Sequence, residues 1–185
     1  MTLPYDELNT ILTRLQTEAA ETAPNGEVRY DPKKCCDIVL DYLIYCYVMG
    51  VDNANEMLST SIAVNTDEME ESIYHRIEGK NFEDRVSEYA EEGNLENIMR
   101  VAETDAHRVL NDSTLTTGIK GGGKTKTWWT MQDERVREYH VPLDGVTVGI
   151  NDDFVTYDGY KAQRPGAFGV PELDINCRCY LWIDP

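Results

Sequence analysis

Apolar residues recur along the first part of the chain with the period of a helix. Leu8, Ile11, Leu12 and Leu15 fall at i, i+3, i+4 and i+7, which makes one amphipathic face. Asp31 followed by Pro32 is a cap and first-turn pair. It predicts a second helix running towards Gly50, a residue suited to the position just past a helix end. Further helices are predicted around 53–63, 67–78 and 82–92, each set off by Asn, Gly or Thr. The clearest pattern follows Asn94: Leu95, Ile98, Met99, Ala102, Ala106, Val109 and Leu110 share a face, with Val101 off it. These stripes read as the core of a plain helical bundle.

After Asp112 the period stops. "STLTTGIKGGGK" has no apolar repeat and reads as an exposed Gly/Lys-rich linker, the preferred place for a protease to cut. Beyond it, Asp133 to His140 fits a short helix ended by Pro142. Val146, Val148 and Ile150 alternate, Asn151 and Asp152 offer a turn, and "FVTY" supplies a return strand, so a β-hairpin is predicted. A loop, "RPGAFGVP", leads to a final strand "INCRCYLWI" in which Cys177, Cys179, Leu181 and Ile183 share one face. The expected fold class is α+β, with a helical bundle or arm over 1–112 and a linker over 113–126. A small α+β unit with a hairpin and a terminal strand follows over 127–185.

Charge sharpens this division. The 185 residues carry 17 Lys+Arg against 34 Asp+Glu, a net charge of -17. Residues 1–117 hold 9 basic and 24 acidic side chains, whereas 118–185 hold 8 and 10. The acidic helical part will repel nucleic-acid backbones, so direct DNA binding there is not expected and a basic protein surface is the better partner. The opening "MTLPYDELNT" has no basic segment followed by an apolar one, so a cytoplasmic protein is expected. The apolar run "CCDIVLDYLIYCYVMG" is too short for a bilayer and carries Asp37 and Asp41, so no membrane partner is expected. Five cysteines without an export signal point to reduced thiols or a metal site rather than to disulfides. Cys35, Cys36 and Cys46 fall within the apolar helix and read as core residues.

One stretch raises a sharper possibility. "GIKGGGKT", from Gly118 to Thr125, matches the phosphate-binding pattern G-x-x-x-x-G-K-[ST] letter for letter. That pattern grips phosphate only between a buried parallel strand and a helix N-terminus. Here a helix and a polar stretch precede it, and "VTVGIND" arrives too soon to be the partner strand of a crossover. An NTPase is rejected on this context, and a hinge is expected in its place.

The tail carries the chemistry. Were Asp133 to His140 helical, Asp133, Arg137 and His140 would lie within about 60° of one another at 100° per residue. On an extended strand Cys177 and Cys179 project to one side, roughly 6.6 Å apart between Cα atoms. His140, Cys177 and Cys179 thus offer three of the four ligands of a structural zinc site, with Asp174 or Asp133 as oxygen donors for the fourth. Two half-buried thiols and a histidine bonded to a carbonyl would leave the same trace in the sequence.

"KTWWTMQDERVREYHVPLDGVTV", followed by "DF", "PG" and the terminal "INCRC", resembles the C-terminal signature of the Mu F-like head-morphogenesis (minor head) proteins of tailed phages. "MRVAETDAHRVLN" and "FEDRV" resemble the helices that precede it, so the resemblance spans about residues 80–183. It implies a structural role: a low-copy head protein that associates with phage portal and capsid proteins and supports head morphogenesis and DNA packaging. Contact with phage DNA would be indirect. Such a protein would pass from the host cytoplasm into the virion. Some relatives have Cys-x-x-Cys where this chain has Arg137 and His140, and a histidine where it has Asp174. The resemblance therefore carries the metal site over to His140, Cys177 and Cys179 only. The alternative is a small metal-dependent hydrolase or nuclease working from His140 and the Cys177/Cys179 site. No further catalytic set is found among the three histidines, His75, His107 and His140, so no enzyme is expected.

Overall fold

A computed structural model describes the backbone of residues 5–185 and side chains from residue 7 onward. Residues 1–4, which bore on export, lie outside it. Helix α1 (Tyr5–Arg14) runs into a π-helical turn at Leu15–Ala19 that buries Leu15 and Ala19. A small antiparallel pair follows, β1 (Ala20–Thr22) and β2 (Val28–Tyr30). Then come α2 (Pro32–Leu58), α3 (Thr66–Ile73), α4 (Phe82–Glu91) and α5 (Leu95–Lys120). The starts are where local chemistry places them. Asp31 accepts from the Lys34 N–H at 3.0 Å, Asn94 from Asn97 at 3.0 Å, and Asn81 with Asp84 forms a reciprocal capping box.

The ends are not. Gly50 does not stop α2, which continues to Leu58. A Cβ at Gly50 would lie 2.0 Å from Ser113 Oγ and 2.4 Å from the Leu110 carbonyl oxygen. The glycine is therefore a contact point where α5 crosses α2 backbone to backbone, and its use there outweighs its poor helix propensity.

The expected linker over 113–126 is likewise helix through Lys120 and strand from Thr125. Its hydroxyls serve the helix: Thr114 Oγ1 bonds the Leu110 carbonyl at 2.7 Å and that of Gly50 at 3.3 Å, and Ser113 Oγ bonds Leu110 at 3.0 Å. The glycines of "GIKGGGKT" have packing and turn roles. Gly118 and Gly123 leave room for Ile183, whose carbons would lie 3.0 Å and 2.6 Å from added Cβ atoms. Gly122, at φ +83°, closes the helix, with Gly123 N–H bonded to the Gly118 carbonyl at 2.9 Å and Gly122 N–H to Ile119 at 3.1 Å. The motif thus runs from helix end to strand, the reverse of a phosphate loop, and it is no hinge.

The C-terminal part is built of small antiparallel sheets. β3 (Thr125–Trp129) lies between β4 (Thr147–Gly149) and β7 (Tyr180–Asp184), with Lys126 opposite both Val148 and Ile183. β5 (Phe154–Val155) pairs with β6 (Lys161–Ala162), and a one-turn helix α6 spans Pro171–Asp174. The strand at 147–149 therefore does not return onto 154–157 as expected. Asn151 and Asp152 do turn, with Asp152 N–H on the Gly149 carbonyl at 2.9 Å. Phe154 then leaves the sheet to pack edge-on against Trp128, 5.2 Å between ring centres.

Two buried clusters result. One is lined by α1, α2, α4 and α5, the other by Leu115, Trp128, Leu143, Phe154, Cys177, Cys179, Leu181 and Ile183. Helix α5 serves both, and Met57 and Leu58 of α2 pack on the second. The helical part and the tail therefore share their two longest elements.

Candidate metal centre

The segment 133–140 is a run of turns rather than a helix. Its side chains are drawn to other elements. Asp133 accepts the Arg135 N–H at 3.0 Å and receives both ends of the Arg178 guanidinium, at 2.8 and 2.7 Å. Arg137 reaches the carbonyls of Leu173, at 2.9 Å, and Ile175. These bonds outweigh helix formation and divide the expected Asp133/Arg137/His140 face. His140 comes just before a 3-10 turn, Val141–Leu143, which contains Pro142.

The final strand begins at Tyr180 rather than at Ile175. Cys177 and Cys179 precede it, yet burial still alternates as the sequence implied: Cys177, Cys179, Leu181 and Ile183 are buried and Trp182 is exposed. Asn111 of α5 fixes this segment from the side, its amide donating to the Cys179 carbonyl at 3.0 Å and accepting the Leu181 N–H at 3.0 Å. Thr104 does the same one stage earlier, accepting the Asn176 N–H at 3.2 Å.

His140, Cys177 and Cys179 meet, with their candidate ligand atoms within 4.8 Å of one another and all three residues buried. His140 Nδ1 lies 3.7 Å from Cys177 Sγ and 3.4 Å from Cys179 Sγ. In a tetrahedral site with Zn–S about 2.3 Å and Zn–N about 2.0–2.1 Å, that nitrogen–sulfur edge is about 3.6 Å. The donors therefore already stand at zinc-ligand spacing, and they can hold a metal such as zinc. The imidazole is held between rings, stacked on Phe168 at 5.7 Å and edge-on to Trp128 at 5.4 Å. Its Nε2 is buried with no hydrogen-bond partner among the described residues.

The thiols suit a cation. Cys177 is held well below the ordinary thiol value, first by the hydrogen bond from Cys179 and then by His140, against the effect of burial. The same hydrogen bond, burial and the Cys177 charge push Cys179 up. The thiolate is the ligating form, so a bound metal would favour loss of the thiol protons.

Neither carboxylate considered for a fourth ligand is free for that role. Asp133 is held by Arg178. Asp174 accepts the N–H groups of Phe168 at 3.0 Å, Gly169 at 2.7 Å and Val170 at 3.3 Å. Arg137 and Asp174 occupy the positions at which the resemblance places further ligands. Here both fasten the 168–175 loop by hydrogen bonds.

Two buried polar groups left no trace in the sequence pattern. Lys126 is fully buried on β3, donating to Gln163 Oε1 at 2.9 Å, and burial lowers its ammonium to about 8. Asp105, fully buried on α5, is paired with Arg85 at 2.8 Å and Arg108 at 3.0 Å.

With fold and site in place, comparison with known proteins gives the class. The Phage Mu protein F like family matches residues 66–182, which contain α3 to α6 and the three candidate metal ligands, and the chain belongs to this family. It is 30% identical over 83 residues to the minor head protein GP7 of Bacillus phage SPP1, covering 43% of this chain and 27% of that protein. It is also 30% identical over 152 residues to the NAD(+)–arginine ADP-ribosyltransferase EFV of Enterococcus faecalis (strain ATCC 700802 / V583), covering 72% of this chain and 30% of that enzyme. The chain thus spans less than a third of the length of either relative. No solved structure matches it. No helix among the described residues is long and apolar enough to cross a membrane.

Proposed function

We propose that this chain is a minor head protein that joins the portal and capsid proteins of a tailed phage during head assembly and supports DNA packaging. It would act in the host cytoplasm and then remain in the virion. The observation that carries this reading is the family match over 66–182, and the minor head relative supports it. The site is consistent with the role. His140, Cys177 and Cys179 are 1%, 4% and 4% exposed, which suits a tie between the 133–140 turns and the last strand better than a place where substrate meets a metal-bound water.

An enzymatic reading, as a metal-dependent hydrolase or as a transferase like the ADP-ribosylating relative, is the alternative. Against the latter, 70% of that enzyme lies outside the match. The stretch it shares with this chain is therefore read as an assembly module rather than as the catalytic one. The acidic helical part supplies a docking surface for a basic partner, since exposed charges act over about 10 Å in 0.1 M salt.

Co-sedimentation with rings of the portal protein of the phage that carries this chain tests this. Binding is expected at low salt and should fall steeply by half-molar salt, with double-stranded DNA bound weakly throughout. Failure to sediment with portal at any salt, or transfer of ADP-ribose from NAD⁺ to an arginine-bearing protein, would contradict the reading.

A further inference from the structure

The metal centre uses the inner side of the β4-β3-β7 sheet. On the other side, residues Trp129, Met131, Gln132, Tyr180, Trp182 and Asp184 line an open groove of about 640 Å³. Register accounts for the aromatic walls: Trp129 faces Tyr180 across the strands, and Thr127 faces Trp182. Such cross-strand neighbours share one face of a sheet. Trp182 is 39% exposed. None of these three rings is stacked on another ring among the described residues, and all three line the groove.

The polar groups of the groove are mostly engaged. Thr127 and Thr147 share a hydroxyl bond at 2.8 Å. Thr130 and Gln132 donate to Asp144, at 2.9 and 3.0 Å. Asp184 is the one charged residue of the lining. Its Oδ1 accepts the Trp182 indole N–H at 3.0 Å, and its second carboxylate oxygen has no partner among the described residues.

Indole and phenol rings beside a half-free carboxylate, with no cation in the lining, form a receptor for a cationic side chain. Ring faces attract cations, and a planar guanidinium stacks on them while pairing with a carboxylate. We propose that this groove docks an arginine-bearing segment of a partner protein, with a guanidinium laid on Trp182 and Trp129 and paired with Asp184. The volume exceeds that of one side chain and suits a short peptide. Nucleic acid fits poorly, because its phosphates would meet Asp184 and a chain of net charge -17. A sugar would find the Thr127, Thr130 and Gln132 side chains already engaged.

Calorimetric titration of the full chain with a tetra-arginine peptide tests this, with the isosteric but neutral tetra-citrulline peptide as control. Tetra-arginine should bind and tetra-citrulline should not. Trp182→Leu, which keeps apolar bulk, and Asp184→Asn should each weaken binding about threefold to fivefold. Glu91→Gln at the end of α4, away from the groove, should leave it unchanged. No binding of tetra-arginine at millimolar concentration, or equal binding of the citrulline peptide, would overturn the proposal. So would binding that Trp182→Leu and Asp184→Asn leave unchanged, since attraction would then be spread over the acidic surface.

Discussion

Protein purified without added metal is expected to contain one zinc ion per chain, and removing it should lower the melting temperature by about 8–16 °C. The figure follows from a bound ion at about a thousandfold its dissociation constant, which stabilises the folded state by about 4 kcal/mol. In a chain of this size each kcal/mol moves the midpoint by about 2–4 °C. The nitrogen–sulfur distances of 3.7 and 3.4 Å mean that little rearrangement is needed to load the site. Cys177→Ser, Cys179→Ser and His140→Ala should each release the ion, and a chelator should act on the wild type in the same direction. Because α5 and α2 pack in both clusters, the loss should appear in one transition of the whole chain. Separate melting of the helical part and the tail is not expected. Metal-free protein whose melting curve ignores the chelator would show that the thiols are core residues.

The second large effect is expected at Asp105. Its carboxylate holds Arg108, 4% exposed, and Arg85, while Arg108 also donates to the Ser72 carbonyl at 2.7 Å and thereby ties the end of α3 to α5. Asp105→Ala leaves a buried guanidinium without its counter-charge, a change that costs about 3–5 kcal/mol. That is a large share of the whole stability of a domain, about 5–15 kcal/mol. Denaturant unfolding measures it. The double variant Asp105→Leu/Arg108→Met should recover much of the loss, because an apolar pair of similar volume avoids burying charge. A single-variant loss below about 1 kcal/mol would show that Arg108 finds another acceptor.

Much of the helical part was legible because its signals are local. Asp31, Asn81 and Asn94 cap the helices that follow them, and the apolar stripe after Asn94 does line the core. What failed were places where distant chain decides. Gly50 looks like a helix end until Ser113 and Leu110 are seen against it, and the Thr/Gly run of 113–118 looks like a linker until Ile183 packs on Gly118. The turns of 133–140 carry helical spacing, but Arg178 and the 173–175 carbonyls draw their side chains away.

The candidate site was legible in its three members, from strand alternation and from the resemblance. Its supports were not. Phe168, Trp128 and Asn111 hold the histidine and the last strand, roles that neither periodicity nor spacing reveals. Lys126 and Asp105 carry charge into the core, where composition alone would place them at the surface.

The assembly role is tested most directly by quantitative mass spectrometry of purified heads from the phage that encodes this chain, compared with heads made when its gene is disrupted. The role predicts a few copies of the chain in each wild-type particle and, without it, heads that fail to fill with DNA. DNA-filled heads that form at normal yield without the chain would contradict it.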